Sequence, residues 1–350
     1  MLLVSGEEME KLLTVVIPTY NTERFLKQCL DSMLQVPSAG RTELLVVDDG
    51  SRDRSGEIAE EYAAKYPDIV RVIHKENGGH GSAINTGITL ATGKYFKVVD
   101  SDDRVDSREY EAYLEKLENL ECDVVATTFT CVWYADGETE ELQSRIVKEQ
   151  KRRIEGAKRF PENTVLPFET VADRLHVRMH EWTIRTEILK KNGIVLSEHS
   201  FYVDMQYILF PIPRVKTICI LPENVYRYRL GEAGQSVSIK NMQKNREQHR
   251  NVLRSLVAFY KEREQQGDSE AVLDYLAKGI AKMQADGIQT VLSLQVGKAA
   301  KTELLVQEGF LKQECPAAYQ KNQKKSITLL RRSRYLLYSP AAWIWKRIKG

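Results

Sequence analysis

Three carboxylates within four residues, Asp100, Asp102 and Asp103, follow directly on the apolar run Tyr95-Phe96-Lys97-Val98-Val99. Crowded like charges destabilise a strand but suit a hard divalent cation, which takes oxygen ligands at about 2.0–2.1 Å and keeps room for waters and phosphate oxygens. Asp100 and Asp102, two apart on an irregular loop, would supply that charge. The plain alternative is a solvated acidic turn capping a helix that starts near Ser107. A second stretch repeats the pattern, Leu44 to Val47 running into Asp48-Asp49-Gly50-Ser51. Further on, Phe201-Tyr202-Val203-Asp204 joins an aromatic run to one carboxylate, and Tyr226-Arg227-Tyr228-Arg229 brings two fixed cations.

These groups need elements to hold them. Leu12 to Ile17 reads as a strand stopped by Pro18, with Thr19-Tyr20-Asn21 as a polar loop. Phe25, Leu26, Cys29, Leu30, Met33 and Leu34 then recur at helical spacing. Strands follow at Leu44 to Val47, Ile69 to Ile73 and the run before Asp100, with a helical face at Ile58, Ala59, Tyr62 and Ala63 between the first two of these. A helix whose Ala83, Asn85 and Gly87 permit close packing follows the loop Asn77-Gly78-Gly79-His80-Gly81. After Asp103 come a helix from Ser107 to Leu120 and a strand from Asp123 to Phe129. Such alternation predicts a mostly parallel sheet covered on both faces. The acidic ends of the second and fourth strands then share the carboxyl edge, where ligands bind in open α/β sheets. Ala135 to Asn163 reads as a long loop or short helices, and Val171 to Leu189 as a helix carrying His176, His180 and Trp182. The pattern is helical from about Met242, which puts a domain boundary near 235–245: a catalytic domain over 1–240 and a helical region over 241–350.

Composition narrows the class. A chain of 350 residues, 42% hydrophobic and 29% charged, is that of a globular protein long enough for more than one domain. Five cysteines without a Cys-x-x-Cys pair argue against a disulfide framework or zinc knuckle and suit a reducing cytoplasm. Residues 1–11 carry acids rather than a basic and then apolar segment, so no secretory signal is expected, and no apolar run approaches the roughly 18 residues of a span. The net charge of +2 is uneven. Pro316 to Gly350 holds nine Lys/Arg and no acid, leaving +2 − 9 = −7 elsewhere. A mildly acidic body with a basic tail is not a nucleic-acid profile.

Pro18-Thr19-Tyr20-Asn21, Asp48-Asp49-Gly50-Ser51-x-Asp53, Asn77-Gly78-Gly79 with Ala83-x-Asn85-x-Gly87, and Asp100-x-Asp102-Asp103 together resemble the inverting family 2 glycosyltransferases of GT-A fold, over roughly residues 12 to 240. The resemblance implies transfer of a sugar from a nucleotide-diphosphate donor, UDP-linked by expectation, to an acceptor hydroxyl. It also implies inversion at the anomeric carbon and a divalent cation, Mg²⁺ or Mn²⁺. It assigns Pro18, Thr19, Tyr20 and Asp49 to the nucleoside, Asp49 taking the N3–H of uracil. Asn77 and His80 line the donor pocket, Asp100 and Ser101 lie near the ribose, and Asp102 is the metal ligand. Arg227 and Arg229, with Ser236, match a segment that closes over the diphosphate, the other reading being a surface strand with two solvated arginines. Asp204 matches the base, but Val203 stands where the family often has an acid, which keeps Glu198 as an alternative. Neither a Gln-x-x-Arg-Trp motif nor spans mark a processive synthase, so single-sugar transfer is expected.

Asn77-Gly78-Gly79-His80-Gly81 is not a dinucleotide fingerprint, since the third glycine is missing, and no Walker A sequence is present. A nucleotidyltransferase would need a Gly-rich, basic phosphate loop after strand one, where Pro18-Thr19-Tyr20-Asn21 stands. A catalytically inactive binding or scaffold module is the remaining alternative. In the tail, Tyr335, Leu336, Leu337, Tyr338, Trp343, Ile344, Trp345 and Ile348 alternate with Arg and Lys, the composition of a segment lying on an anionic membrane surface. The expected acceptor is a glycan or a lipid-linked sugar of the cell envelope, met at the cytoplasmic face.

Overall fold

The computed structural model describes residues 11–135, 145–231, 235 and 238–349. By its contacts the chain divides into two units. The first comprises Met1–Phe168, Val177–His199 and Arg214–Gly231, the second Glu169–His176, Ser200–Pro213 and Glu232–Gly350.

The first unit is built on one mixed sheet. Its strands are β1 (Leu13–Thr19), β2 (Thr42–Asp48), β3 (Val70–His74), β4 (Tyr95–Val98), β5 (Arg104–Val105), β6 (Val124–Tyr134), β7 (Ile146–Arg152), β8 (Val165–Pro167), β9 (Trp182–Arg185) and β10 (Thr217–Leu230). They lie in the order β3-β2-β1-β4-β9-β6-β10-β5, with β7 on β6 and β8 on β10. Neighbouring strands among the first four are parallel. β9 runs antiparallel to both β4 and β6, and β6 is parallel to β10. It follows that β1, β2, β4, β6 and β10 all point the same way, and their carboxyl ends form one edge. The expected mostly parallel α/β sheet is present.

Helices α1 (Glu23–Leu34), α2 (Ser55–Lys65), α3 (His80–Leu90), α4 (Ser107–Glu118) and α5 (Thr186–Lys191) belong to this unit. β1 is buried along its whole length, as expected of a strand covered on both faces. Leu13, Val15 and Ile17 share a core cluster with Leu26, Cys29, Leu30 and Met33 of α1. The adjacent residue, Val16, has α3 close by: a Cβ on Gly87 would fall 2.4 Å from Val16 Cγ2, so only glycine lets this helix settle here.

Two sequence expectations are corrected. Val171 to Leu189 is not one helix: single 3₁₀ turns lead into β9 and then α5. Trp182, Thr183 and Ile184 are fully buried between β4 and β6, and this tertiary demand for a central strand overrides the weak helical spacing. Within Ala135 to Asn163, residues 136–144 lie outside the described set, but Ile146–Arg152 is strand β7 rather than loop or helix. Its side chains are almost all exposed, which removes the alternation that betrays a strand.

The second unit is helical: α6 (Asp204–Leu209), α7 (Ile239–Lys244), α8 (Arg246–Gln265), α9 (Glu270–Ser293), α10 (Lys298–Glu314), α11 (Pro316–Lys321), α12 (Lys325–Arg332) and α13 (Tyr338–Lys349). The pattern read from Met242 begins at Ile239, after Ser238 caps α7 by accepting from the Asn241 amide. Ile288, Val291, Leu304, Ile327, Leu330, Tyr338 and Ala342 form one apolar cluster. A buried carboxylate ties three of these helices. Glu308 accepts from Arg331 Nε at 2.6 Å and Nη2 at 3.0 Å, from Tyr335 Oη at 2.6 Å and from Gln284 Nε2 at 3.2 Å. Among the described residues no helix is long and apolar enough to cross a membrane.

Candidate functional site

The tips of β1 and β2 are laced together first. The Asp49 amide donates to Thr19 O at 2.9 Å, the Asn21 amide to Ser51 Oγ at 3.1 Å, and the Arg52 amide to Asn21 Oδ1 at 2.8 Å. Pro18 and Thr19 are buried, while Tyr20 is 46% exposed at the rim. Asp48 turns aside to His74, its Oδ2 lying 2.9 Å from Nδ1.

Asp49 carries an inward load. Its Oδ1 accepts from Lys75 Nζ at 2.8 Å and from the Gly78 amide at 2.9 Å, and its Oδ2 from the Gly79 amide at 2.7 Å. Asn77 Nδ2 donates to Asp49 O at 2.9 Å. Gly79 has φ +84°, a conformation that favours glycine, and the next residue opens α3. His80, expected on a flexible loop, is therefore the first residue of that helix, and its Nε2 lies 2.8 Å from Asp100 Oδ1. Through Gly79 and His80 the acidic tip of β2 is thus joined to that of β4.

Strand β10 holds the acidic loop from the other side. Tyr226 Oη donates to Asp103 Oδ2 at 2.5 Å and accepts from the Asp100 amide at 3.2 Å. The Arg229 amide donates to Asp103 Oδ1 at 2.6 Å and its Nε to Asp102 O at 3.0 Å. Its guanidinium lies over the rings of Tyr134 and Phe25, 3.8 and 4.6 Å from their centroids, and Nη2 reaches Gln28 Oε1 at 2.6 Å. Ser101 is buried, its hydroxyl accepting from Thr22 Oγ1 at 3.0 Å. The reading of Arg227 and Arg229 as two solvated arginines is corrected. Arg229 is buried, and Arg227 pairs with Asp106 at 2.6 Å and Glu149 at 3.5 Å. Ser236 lies outside the described residues.

The electrostatics show what this crowding costs. Burial opposes ionisation of Asp100, yet the charge and hydrogen bond of His80 outweigh it and hold this carboxyl below its ordinary range. Asp102 is pushed up to about 6 by burial and by the charge of Asp100. Burial, then the charges of Asp102 and Asp103's other neighbour Asp100, raise Asp103 well above the carboxylate range. Ionising all three carboxyls together is opposed by burial and mutual repulsion, a condition that a divalent cation would relieve.

One participant was not legible in the sequence. Asp100, Asp103 and His180 each present one ligand atom, all within 4.8 Å of one another. His180 precedes β9, its ring packed against Phe129, Tyr226 and Tyr228 at centroid distances of 5.1, 4.8 and 4.4 Å. Its buried Nδ1 has no hydrogen-bond partner among the described residues, and burial pushes it down to about 4, leaving a neutral imidazole at neutral pH. Beneath it, Lys97 Nζ donates to His180 O at 3.0 Å, and burial pulls this lysine down to about 7 against the charge of Glu181. Two carboxylates beside a neutral imidazole are a donor set that fits a divalent cation. Asp102, the ligand expected from the sequence, lies in the same loop but outside that trio. No spacing connects residue 180 to residue 100, so only the fold could bring it in.

The proposed bases are placed separately. Asp204 opens α6 in the second unit, after Tyr202 at φ +68°, and Glu198 is exposed in the first.

Residues 14–178 match the family model described as Glycosyl transferase family 2. In that stretch the chain carries a glycosyltransferase family 2 domain. It is similar to the uncharacterized glycosyltransferase EpsJ of Bacillus subtilis (strain 168), 32% identical over 230 residues that cover 63% of this chain and 62% of EpsJ. It is also similar to the minor teichoic acid biosynthesis protein GgaB of the same organism, 28% identical over 227 residues, 64% of this chain and 23% of GgaB. The chain therefore spans less than two thirds of either relative. Among solved structures, S. aureus TarS superposes with a TM-score of 0.62 at 19% identity, covering 96% of this chain and 54% of TarS. Its 1–349 fragment in complex with UDP-GlcNAc gives 0.56 at 18%, covering 92% of each. At that identity the likeness is one of fold, and the fold of this chain is GT-A-like.

Proposed function

We propose that this family 2 protein is an inverting, cation-dependent transferase that moves one sugar from a UDP-sugar to a hydroxyl of a cell-surface glycan or lipid-linked acceptor. The observation that carries the reading is the link from Asp49 through Gly79 and His80 to Asp100, because it joins two acidic strand tips at one edge of the sheet. In this reading Pro18, Thr19, Tyr20 and Asn77 flank the nucleoside. Asp49 offers its remaining acceptor capacity to the uracil N3–H, and Ser101 and Asp100 meet the ribose. A divalent cation, Mg²⁺ or Mn²⁺, would be held by Asp102 with help from Asp100, Asp103 and His180, and when bound it supplies positive charge at the leaving diphosphate. Arg229 fixes the loop that presents these ligands. The acceptor oxygen attacks the anomeric carbon as the bond to the diphosphate oxygen breaks, and its proton passes to Asp204, with Glu198 as the alternative base. The donor preference draws support from the UDP-GlcNAc complex of TarS, and the acceptor class from the teichoic acid role in the name of GgaB.

The test is a panel of UDP-, GDP- and dTDP-sugars with Mn²⁺, scored for donor hydrolysis and transfer. UDP-sugar turnover supports the proposal, and inertness toward the whole panel rejects it. Asp204→Asn should lower transfer by about 10²–10⁴-fold while UDP still binds. Full turnover in that variant moves the base to Glu198. Asp102→Ala should abolish Mn²⁺ binding measured calorimetrically, independently of turnover.

A further inference from the structure

The last two helices of the second unit leave apolar side chains in water where a stable helical unit has no reason to expose them. On α13, Tyr338 and Ala342 are buried in the apolar cluster and Trp345 packs against it. The opposite face carries Trp343, 55% exposed, and Ile344, 51% exposed, with the Arg347 guanidinium 4.0 Å from the Trp343 ring centroid. The turn before α13 adds Leu336, 78% exposed, and Leu337, and α12 adds Leu329 at 55%. A helix that is apolar on both faces has a second partner for the outer one.

Charge identifies that partner. From Pro316 onward the chain has nine Lys/Arg and no Asp or Glu. Some of these cations are used inside the unit: Arg331 on Glu308, Lys324 on Asp286 and Lys321 on Asp274. Lys325, Arg332, Arg334 and Arg347 are exposed, and none of them forms an ion pair among the described residues. Between α9, α12 and α13 lies an open cavity of about 430 Å³, floored by Ile288, Leu292, Ile327 and Trp345 and rimmed by Lys324 and Lys325. An apolar floor with a cationic rim repeats, on a smaller scale, the order of the whole surface.

We propose that α12, the Ser333–Leu337 turn and α13 form a surface that lies on an anionic lipid bilayer, Trp343, Ile344, Leu336 and Leu337 entering the interface and the basic side chains meeting lipid phosphates. Tryptophan settles at headgroup depth, while arginine reaches past its own aliphatic stem to the phosphates. Because each cation near an anionic surface adds to attraction, and salt screens it, binding is both charge-selective and salt-sensitive. A protein surface is the other possible occupant, a second copy of this chain being the case the test separates.

Purified full chain is sedimented with sucrose-loaded vesicles of phosphatidylcholine alone or with about 30% phosphatidylglycerol. The expected result is at least about tenfold stronger partitioning to the anionic vesicles, reversed by 0.5 M salt, with part of the tryptophan fluorescence quenched by brominated lipid. Trp343→Ser with Ile344→Ser should remove most of the binding without lowering the melting temperature, because both side chains are already exposed. Equal partitioning to both vesicles, or unchanged binding of that variant, overturns the proposal. So does a dimer by light scattering that the same variant dissociates.

Discussion

Replacing Asp49 by asparagine tests whether the β2 tip organises the site. The carboxylate serves three donors: Lys75 Nζ and the Gly78 amide on one oxygen, the Gly79 amide on the other. An amide has one acceptor oxygen, so its NH₂ must face a donor whichever way it turns. The less costly orientation abandons Gly79. A lost charge-assisted hydrogen bond is worth about 1.5–3 kcal/mol and a stranded donor about 1–3 kcal/mol, which together give about 3 kcal/mol once some relaxation is allowed. For a domain of this size that corresponds to a fall of about 6–12 °C in melting temperature. Gly79 leads directly into His80, so the contact with Asp100 should loosen as well, and UDP titrated calorimetrically should bind at least about tenfold more weakly. Lys75→Met removes only the ammonium, and the double variant should be less destabilised than the sum of the singles, since the residues share one oxygen. A melting temperature within about 2 °C of wild type for Asp49→Asn would refute the reasoning.

Gly87→Ala should destabilise by about 1–3 kcal/mol through the clash with Val16, despite the better helix propensity of alanine, and Val16→Ala should recover part of the loss in a urea titration. Glu308→Gln should cost about 1.5–3 kcal/mol, because it takes the charged acceptor from the half-buried Arg331, and the loss should show in thermal melts. Burial pushes His249 down to about 4 from its ordinary 6.5. Its folded form stays neutral while the unfolded chain takes up a proton below pH 6.5, so stability is full above that pH and falls as the pH drops toward 4. The loss is about 3 kcal/mol at most. Melts of His249→Gln over that range should show a flatter slope.

How much of this was legible in the sequence depended on whether the signal was local. The strands ending at Asp48 and Val98 announce themselves because apolar runs stop at acids, whereas β1 runs on through Pro18, where the sequence had stopped it, to Thr19; four linked motifs pointed to the family. Asp49, His80, Asp100, Asp102 and Arg229 were all named from the sequence, and the fold brings them to one edge. The roles the resemblance gave them are a different matter from their positions: Ser101 and Arg229 hold internal contacts that no motif discloses. His180 and Lys97 were opaque because their place depends on β9 entering the sheet antiparallel between β4 and β6. That insertion buries Trp182 completely and follows no repeat in the sequence. Strand β7 hid for the opposite reason, since a strand exposed on both faces has no pattern to read.

The hold of Tyr226 and Arg229 on Asp103 spans 123 and 126 residues of chain. A chain still emerging from the ribosome can pair β1, β2 and β4 early and bring His80 to Asp100, but Asp103 stays without Tyr226 and Arg229 until β10 is delivered. The clasp on the acidic loop therefore arrives late in synthesis, and any truncation before residue 230 yields a sheet whose most highly charged loop has lost it.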